Sequence, residues 1–309
     1  MKLSAADIAF EGFRVVRDRP LALLAWVVLQ FLGALAAQPA LQMGRDAQAQ
    51  LEKLGLMPTV ATPQLTPAQL ALAMPAMGSL FEGAAMSLAV LLVVAALTDP
   101  GVFRVAMTPQ DRGLFSVKLG AQELRQLGLL LILSALFFGI ALCGMMASLL
   151  FTGVFAVAGP AASLLGLAVG VTATLCVLIY FGVRLSLAGP LTFQQKRIDV
   201  FGSWNLTRGR FYGLLSGYAL AAIMAALVFI LSLVIFDAAA AIIAGGPDQA
   251  AKLFDGKDTD LADLYTPIQI FGHAYFAVID ALTAAILVGA RAQAFLQISK
   301  LPPVSVVAG

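Results

Sequence analysis

Apolar residues fill six long stretches of this chain, and shorter segments between them alternate charge and hydrophobicity with helical period. The apolar stretches cover residues 20–37, 80–105, 127–158, 161–187, 211–236 and 267–295. About twenty residues, rising about 1.5 Å each, cross the hydrocarbon core of a bilayer. Each stretch approaches or exceeds that length, so the pattern predicts six transmembrane helices. Asp99-Pro100-Gly101 interrupts the second stretch and predicts a helix stop or kink there. Only Gly159-Pro160 parts the third stretch from the fourth, which predicts a tight helical hairpin. Gly166 and Gly170, and likewise Gly209, Gly213 and Gly217, recur every fourth residue, a spacing that lets helices approach closely.

The segments before the outgoing spans read differently. In the first, Ala6, Ala9, Phe10, Phe13 and Val16 form one face and Asp7, Glu11, Arg14 and Asp18 the other. That is an amphipathic helix by its 3.6-residue period. Pro20 then opens the span at a position where its missing N–H costs nothing. Before the fifth span stand Trp204, Arg208, Arg210 and Phe211. Aromatic and basic residues together suit the headgroup boundary, so this motif is expected at the membrane interface. The segments 38–79 and 237–266 read as outer loops, and Thr66-Pro67 as the cap of a short helix over 68–74.

Composition agrees with a bilayer as solvent. Of the 309 residues 61% are hydrophobic and 12% charged, against about 45–50% and about 25% in soluble domains. A net charge of +2 implies no affinity for nucleic acid. The distribution of charge is more informative. Fifteen of the 19 lysines and arginines fall in the termini, in the segments between the second and third and the fourth and fifth spans, or near the inner ends of the returning spans. The other four, Arg45, Lys53, Lys252 and Lys257, fall in the outer loops. Positive charge stays on the cytoplasmic side, so both termini are expected there. The N-terminus imitates a signal peptide, but the structured segment before its apolar run argues for keeping residues 1–37 in the mature protein. Cys143 and Cys176 stand alone in apolar runs and read as small buried hydrophobes.

A weak threefold repeat follows, with units over 1–110, 111–195 and 196–300. Each opens with a basic amphipathic segment, then one span out and one back. From Leu80 to Arg104, Pro160 to Arg184 and Pro267 to Arg291 the distance is 24 residues each time. An arginine at the end of a returning span can snorkel to the headgroups. The fold expected is thus an all-α polytopic membrane bundle of about six transmembrane helices in three parallel two-helix repeats with interfacial amphipathic helices, forming one integral membrane domain.

Candidate chemistry is sparse. Asp280 lies near the middle of the last span, where a carboxylate costs about 2.5–3.5 kcal/mol on insertion scales. Gln269, His273 (the only histidine) and Arg291 share its helix face. Together they read as a polar stripe lining a proton or solute path, or as a structural contact. His273 and Asp280 are about 10 Å apart along the axis and Asp280 and Arg291 about 16 Å, so no two of these pair directly. The Asp255–Asp260 stretch superficially suggests calcium, but it lacks the spacing and terminal Glu of an EF-hand. HExxH, GxSxG, CxxC and Walker patterns are missing from the sequence. No metal or cofactor is therefore expected.

The stretch Ser203-Trp204-Asn205-Leu206-Thr207-Arg208-Gly209-Arg210-Phe211, with Tyr212-Gly213-Leu214-Leu215 after it, resembles a motif of the membrane domain associated with glycerophosphoryl diester phosphodiesterases. Related bacterial integral membrane proteins carry it too. Residues 6–26 and the Arg184–Pro190 segment are also similar. The phosphodiesterase domain and its metal-binding Glu and His motif are absent from this chain. The resemblance implies a membrane module linked to lipids, without catalysis. Mitochondrial-type solute carriers also use three two-helix repeats, but their Pro-x-Asp/Glu-x-x-Lys/Arg motif is not found here. The sequence favours a non-enzymatic protein of the bacterial inner membrane that organises membrane lipids or other membrane proteins. A transporter or channel using Asp280 is the alternative, and a lipid-modifying enzyme the third reading.

Overall fold

The computed structural model describes residues 3–55, 66–108, 116–254 and 265–299. Among them are ten helices and no strand. In chain order they are α1 (Ala5–Asp18), α2 (Pro20–Lys53), α3 (Pro67–Met107), α4 (Ala121–Ala156), α5 (Pro160–Leu185), α6 (Ala188–Gln195), α7 (Val200–Leu206), α8 (Phe211–Ala244), α9 (Pro247–Phe254) and α10 (Pro267–Ser299). Six of the apolar helices are long enough to span: α2, α3, α4, α5 with α6, α8 and α10.

The helices outrun the apolar stretches. At 34 and 41 residues, α2 and α3 reach roughly 50 and 60 Å, beyond a hydrocarbon core of about 30 Å. Most of the expected loop 38–79 is therefore helix. Its alanine, glutamine and leucine have high helix propensity. Thr66 and Gln69 cap α3 reciprocally, with Gln69 N donating to Thr66 Oγ1 and Thr66 N to Gln69 Oε1. The short helix expected over 68–74 is thus the first part of α3. Asp99-Pro100-Gly101 neither stops nor breaks that helix, which runs through all three residues, each buried. Here packing overrides the local breaker signal. The Asp255–Asp260 stretch and Arg112 lie outside the described residues.

The spans carry their apolar residues outward. Leu150 is 70% exposed, Leu231 62% and Leu91 61%. Asp99, Arg104, Glu123 and Gln126 are buried instead. A soluble protein would reverse this arrangement. Cys143 and Cys176, expected to be buried, are exposed in the same way, because apolar side chains on a spanning helix have lipid available as solvent.

The chain forms two compact units. The first comprises Met1–Ala22, Ala96–Ala225 and Ala284–Gly309. Within it α4 and α5 form the expected hairpin, turned at Gly159 with φ +110°. They touch through small residues. A Cβ added to Gly166 would stand 2.7 Å from the Phe151 carbonyl oxygen, and one on Gly170 2.5 Å from Ser148 Cα. Also in this unit, α1 lies on α10 backbone to backbone. A Cβ on Gly12 would stand 2.3 Å from Ile286 Cα, and one on Gly289 2.8 Å from Gly12 Cα. The buried side of α1 is Ile8, Ala9, Gly12 and Val15. Of the apolar face expected for an amphipathic helix, Ala9 is buried, while Phe10 and Phe13 are exposed. The Gly12–Gly289 approach selects the smaller residues for the contact.

The second unit comprises Leu23–Ala95 and Ala226–Thr283. Here Ala47, Leu51, Ala73 and Ala76 close a small core with Leu80 between α2 and α3. Tyr275 Oη donates to the Ser232 carbonyl at 2.9 Å and ties α10 to α8.

Candidate functional site

The chemistry concentrates in the first unit, at the helix ends that carry arginine. Arg104 and Arg184 lie in the last turns of α3 and α5, and Arg291 lies eight residues before the end of α10. None is left to snorkel free; each is held by protein groups. Arg104 pairs through Nη2 with Glu123 of the first turn of α4, and both side chains are buried. Its Nη1 donates to the Ser116 carbonyl at 2.7 Å, and its guanidinium lies 6.0 Å from the Phe193 ring centroid. Glu123 also sits where a helix N-terminus favours negative charge.

Arg184 is clamped between rings. Its guanidinium is 5.0 Å from the Trp204 centroid and 5.5 Å from that of Tyr180, within cation–π range. Around it α7 is locked to the end of α5. Ser203 Oγ donates to the Arg184 carbonyl at 2.8 Å and accepts from Leu187 N at 3.1 Å. Thr207 Oγ1 lies 3.3 Å from the same Arg184 carbonyl. Asp199 caps α7, accepting from Gly202 N at 2.8 Å. The serine and threonine of the 203–211 motif thus satisfy backbone groups that the end of α5 leaves open. Arg291 stands 3.7 Å from Asp99, whose side chain is 7% exposed.

Two cavities border these arginines, and a third lies apart from them. A cleft of about 610 Å³ is lined by Arg104, Lys118, Gln122, Phe193, Lys196 and Leu296, among others, and none of the described residues lining it is acidic. A smaller wedge of about 170 Å³ lies between α4 and α5, bordered by Gln126, Ser186, Gly189 and Arg291. A third, of about 580 Å³, is an apolar groove along α4 and α5 that includes Cys143.

No protein-family model, no curated protein and no solved structure matches this chain. What it is must come from its own chemistry. It is a multi-pass membrane protein.

The residues singled out in the sequence are only partly brought together. Trp204 meets Tyr180 and Phe181, and Phe211 lies 5.5 Å from Tyr180 between ring centroids. Arg208 is exposed and Arg210 partly so. On α10, Gln269 and His273 are half-buried and Asp280 is exposed, all in the second unit. Arg291 belongs to the first unit and pairs with Asp99, not with a member of the stripe. Glu123, Gln126, Ser186, Ser203 and Thr207 were not anticipated as site residues. One signal was available for Glu123: an isolated acid in the first turn of a span, opposite an arginine closing the span before it.

Proposed function

We propose that this is a bacterial inner-membrane protein, with both termini cytoplasmic, that binds anionic phospholipid headgroups from the cytoplasmic leaflet in the cleft of Arg104, Lys118 and Lys196. The carrying observation is the cleft itself. Among the described residues, three cationic side chains and no acid line about 610 Å³, a volume within the range of ordinary ligand sites. Basic pockets at the cytoplasmic ends of spans suit lipid phosphates. Arg104 is held in place by Glu123 and Ser116, so little ordering is needed on binding. Met107, Phe193 and Leu296 give the cleft an apolar wall for the start of an acyl chain.

Backbone strain supports the same place. Among the described residues, Ser116 and Lys196 are the non-glycine positions with positive φ, at 29° and 55°. Such conformations cost of order 1–3 kcal/mol and persist where surrounding structure fixes them, often at functional sites. One carries the carbonyl that positions Arg104, and the other lines the cleft. A lipid-linked role is also what the resemblance of the 203–215 stretch implies.

The test is lipid retention. Purified from membranes of mixed composition, the protein should retain phosphatidylglycerol over phosphatidylcholine, as counted by lipid mass spectrometry. Lys118→Ala with Lys196→Ala should lower that preference several-fold. An unchanged preference in the double variant would refute the cleft as the site.

A second reading keeps Asp280. Its carboxylate is exposed and forms no ion pair among the described residues, and such a group in hydrocarbon is costly enough to suggest a transport role. Asp280→Asn should then insert normally yet abolish whatever phenotype deletion of the protein produces; persistence of that phenotype rejects this reading.

A further inference from the structure

The wedge between α4 and α5 is a site of different chemistry from the cationic cleft. Toward their hairpin the two helices touch through Gly166 and Gly170. At the opposite end they part, and α6 and Arg291 of α10 border the gap. Its walls are mostly apolar: Leu129, Leu130, Leu133 and Phe137 from α4 and Leu185 from α5. Its polar groups are few and specific.

Gln126 is the decisive one. The residue is 2% exposed, borders the wedge, and its amide forms no hydrogen bond among the described residues. Its Nε2 lies 3.2 Å from where a Cβ on Gly189 would stand. An amide left without partners in an apolar wedge is costly, and a ligand group there would relieve it. An amide both donates and accepts. Ser186 is beside it. The hydroxyl is within hydrogen-bond distance of the Val183 carbonyl, at 2.8 Å, and of Tyr218 Oη, at 3.0 Å; its oxygen keeps acceptor capacity. Arg291 has five N–H donors, and it faces Asp99 through Nη1 at 3.7 Å.

The charge balance selects the ligand. Arg291 is already offset by buried Asp99, and the other polar groups are neutral. An added anion would meet Asp99 between apolar walls, where repulsion is poorly screened. An added cation would meet Arg291. An uncharged group that accepts from Arg291 and Gln126 and donates to Ser186 or the Gln126 carbonyl meets neither penalty. An ester carbonyl beside a free hydroxyl does this. At about 170 Å³ the wedge is smaller than a drug-sized site of about 300–1,000 Å³, so it takes the polar end of a ligand whose chain continues outside. We propose that this wedge binds an uncharged acylglycerol, its ester and hydroxyl groups at Gln126, Ser186 and Arg291 and its chain starting along Leu130, Leu133 and Phe137.

Gly182 provides the test. It lines the wedge, and a Cβ there would meet nothing within 4 Å, so Gly182→Leu fills the space without displacing backbone. The full chain in detergent is titrated with 1-monooleoylglycerol, oleate and 1-oleoyl-lysophosphatidate, three probes sharing one chain, and adducts are counted by native mass spectrometry. Monooleoylglycerol should bind saturably at one site, more tightly than either anion. Gly182→Leu should weaken it at least tenfold, and so should Gln126→Leu, in variants whose gel-filtration profile matches the parent. Phosphatidylglycerol retention should be unaffected by both, which separates this site from the cationic cleft. Equal or tighter binding of oleate or lysophosphatidate overturns the proposal. Binding unchanged by Gly182→Leu, or no saturable adduct at all, does the same.

Discussion

Arg104 and Glu123 are the residues whose removal should be felt most. Both are buried, and taking one partner from such a pair leaves a charge with no counter-ion. Glu123→Gln should destabilise by about 3–5 kcal/mol, whereas replacing both partners with leucine should be closer to neutral. Unfolding midpoints of the two variants in one detergent check this; equal losses would contradict it. On α1, outside the spans, the Arg14 guanidinium beside Asp7 holds its carboxyl below the usual range, with help from Ser4, while burial pushes Glu11 up. A depressed folded value gives stability that is present above the ordinary 3.8 of Asp7 and is lost as pH falls through the lower folded value. For Glu11 the sign reverses: ionisation opposes folding above its ordinary 4.5, and the opposition is relieved as pH falls through the raised value. In a descending titration Glu11 should therefore protonate well before Asp7, as carboxyl NMR of selectively labelled protein would show. Coincident midpoints would contradict the two environments. At this scale the arginines were legible from their 24-residue spacing, but their partners were not. Asp99 is 192 positions from Arg291 and looked locally like part of a helix stop. Gln126 looked like an ordinary polar residue near the start of a span.

At the scale of elements, the docking of α1 rests on two glycines. Gly12→Ala places a methyl group against the backbone of α10. Overpacking of this kind costs about 1–3 kcal/mol, so α1 should loosen and cysteines placed along it should react faster with a soluble thiol reagent. Unchanged reactivity would mean that the Gly12–Gly289 approach does not set the contact. For α7, the Trp204 motif predicts a position at the headgroups. Trp26→Phe leaves Trp204 as the one tryptophan and removes an indole N–H that has no acceptor among the described residues. Brominated lipids should then quench Trp204 more than aqueous iodide does; the reverse order would place α7 in water. The existence of all six spans and the α4–α5 hairpin was legible, because bilayer crossing demands long apolar runs. Helix ends were not. The 38–79 segment is polar enough to read as loop, yet its alanine and glutamine favour helix, and Ala47, Leu51, Ala73 and Ala76 give that helix something to pack on.

For the whole molecule, orientation and lipid binding belong together, because an anionic headgroup can reach the cleft only if the arginine-bearing ends face the leaflet that supplies it. In a variant with Cys143 and Cys176 replaced by alanine, Lys196→Cys should resist a membrane-impermeant reagent in intact cells and react once the cells are opened. Labelling of intact cells would invert the topology. The 24-residue spacing picked out three arginines that the structure uses but not their partners, since each found a different one: a carboxylate, two rings, and a carboxylate from another span. The most direct measurement for the lipid-binding reading is an electron cryo-microscopy map of the protein in nanodiscs rich in phosphatidylglycerol. Phosphate density within hydrogen-bond distance of Lys118 and Lys196, with an acyl chain leaving past Phe193, is the result predicted. A cleft that stays empty of phosphate while ordered lipids occupy other surfaces would contradict it.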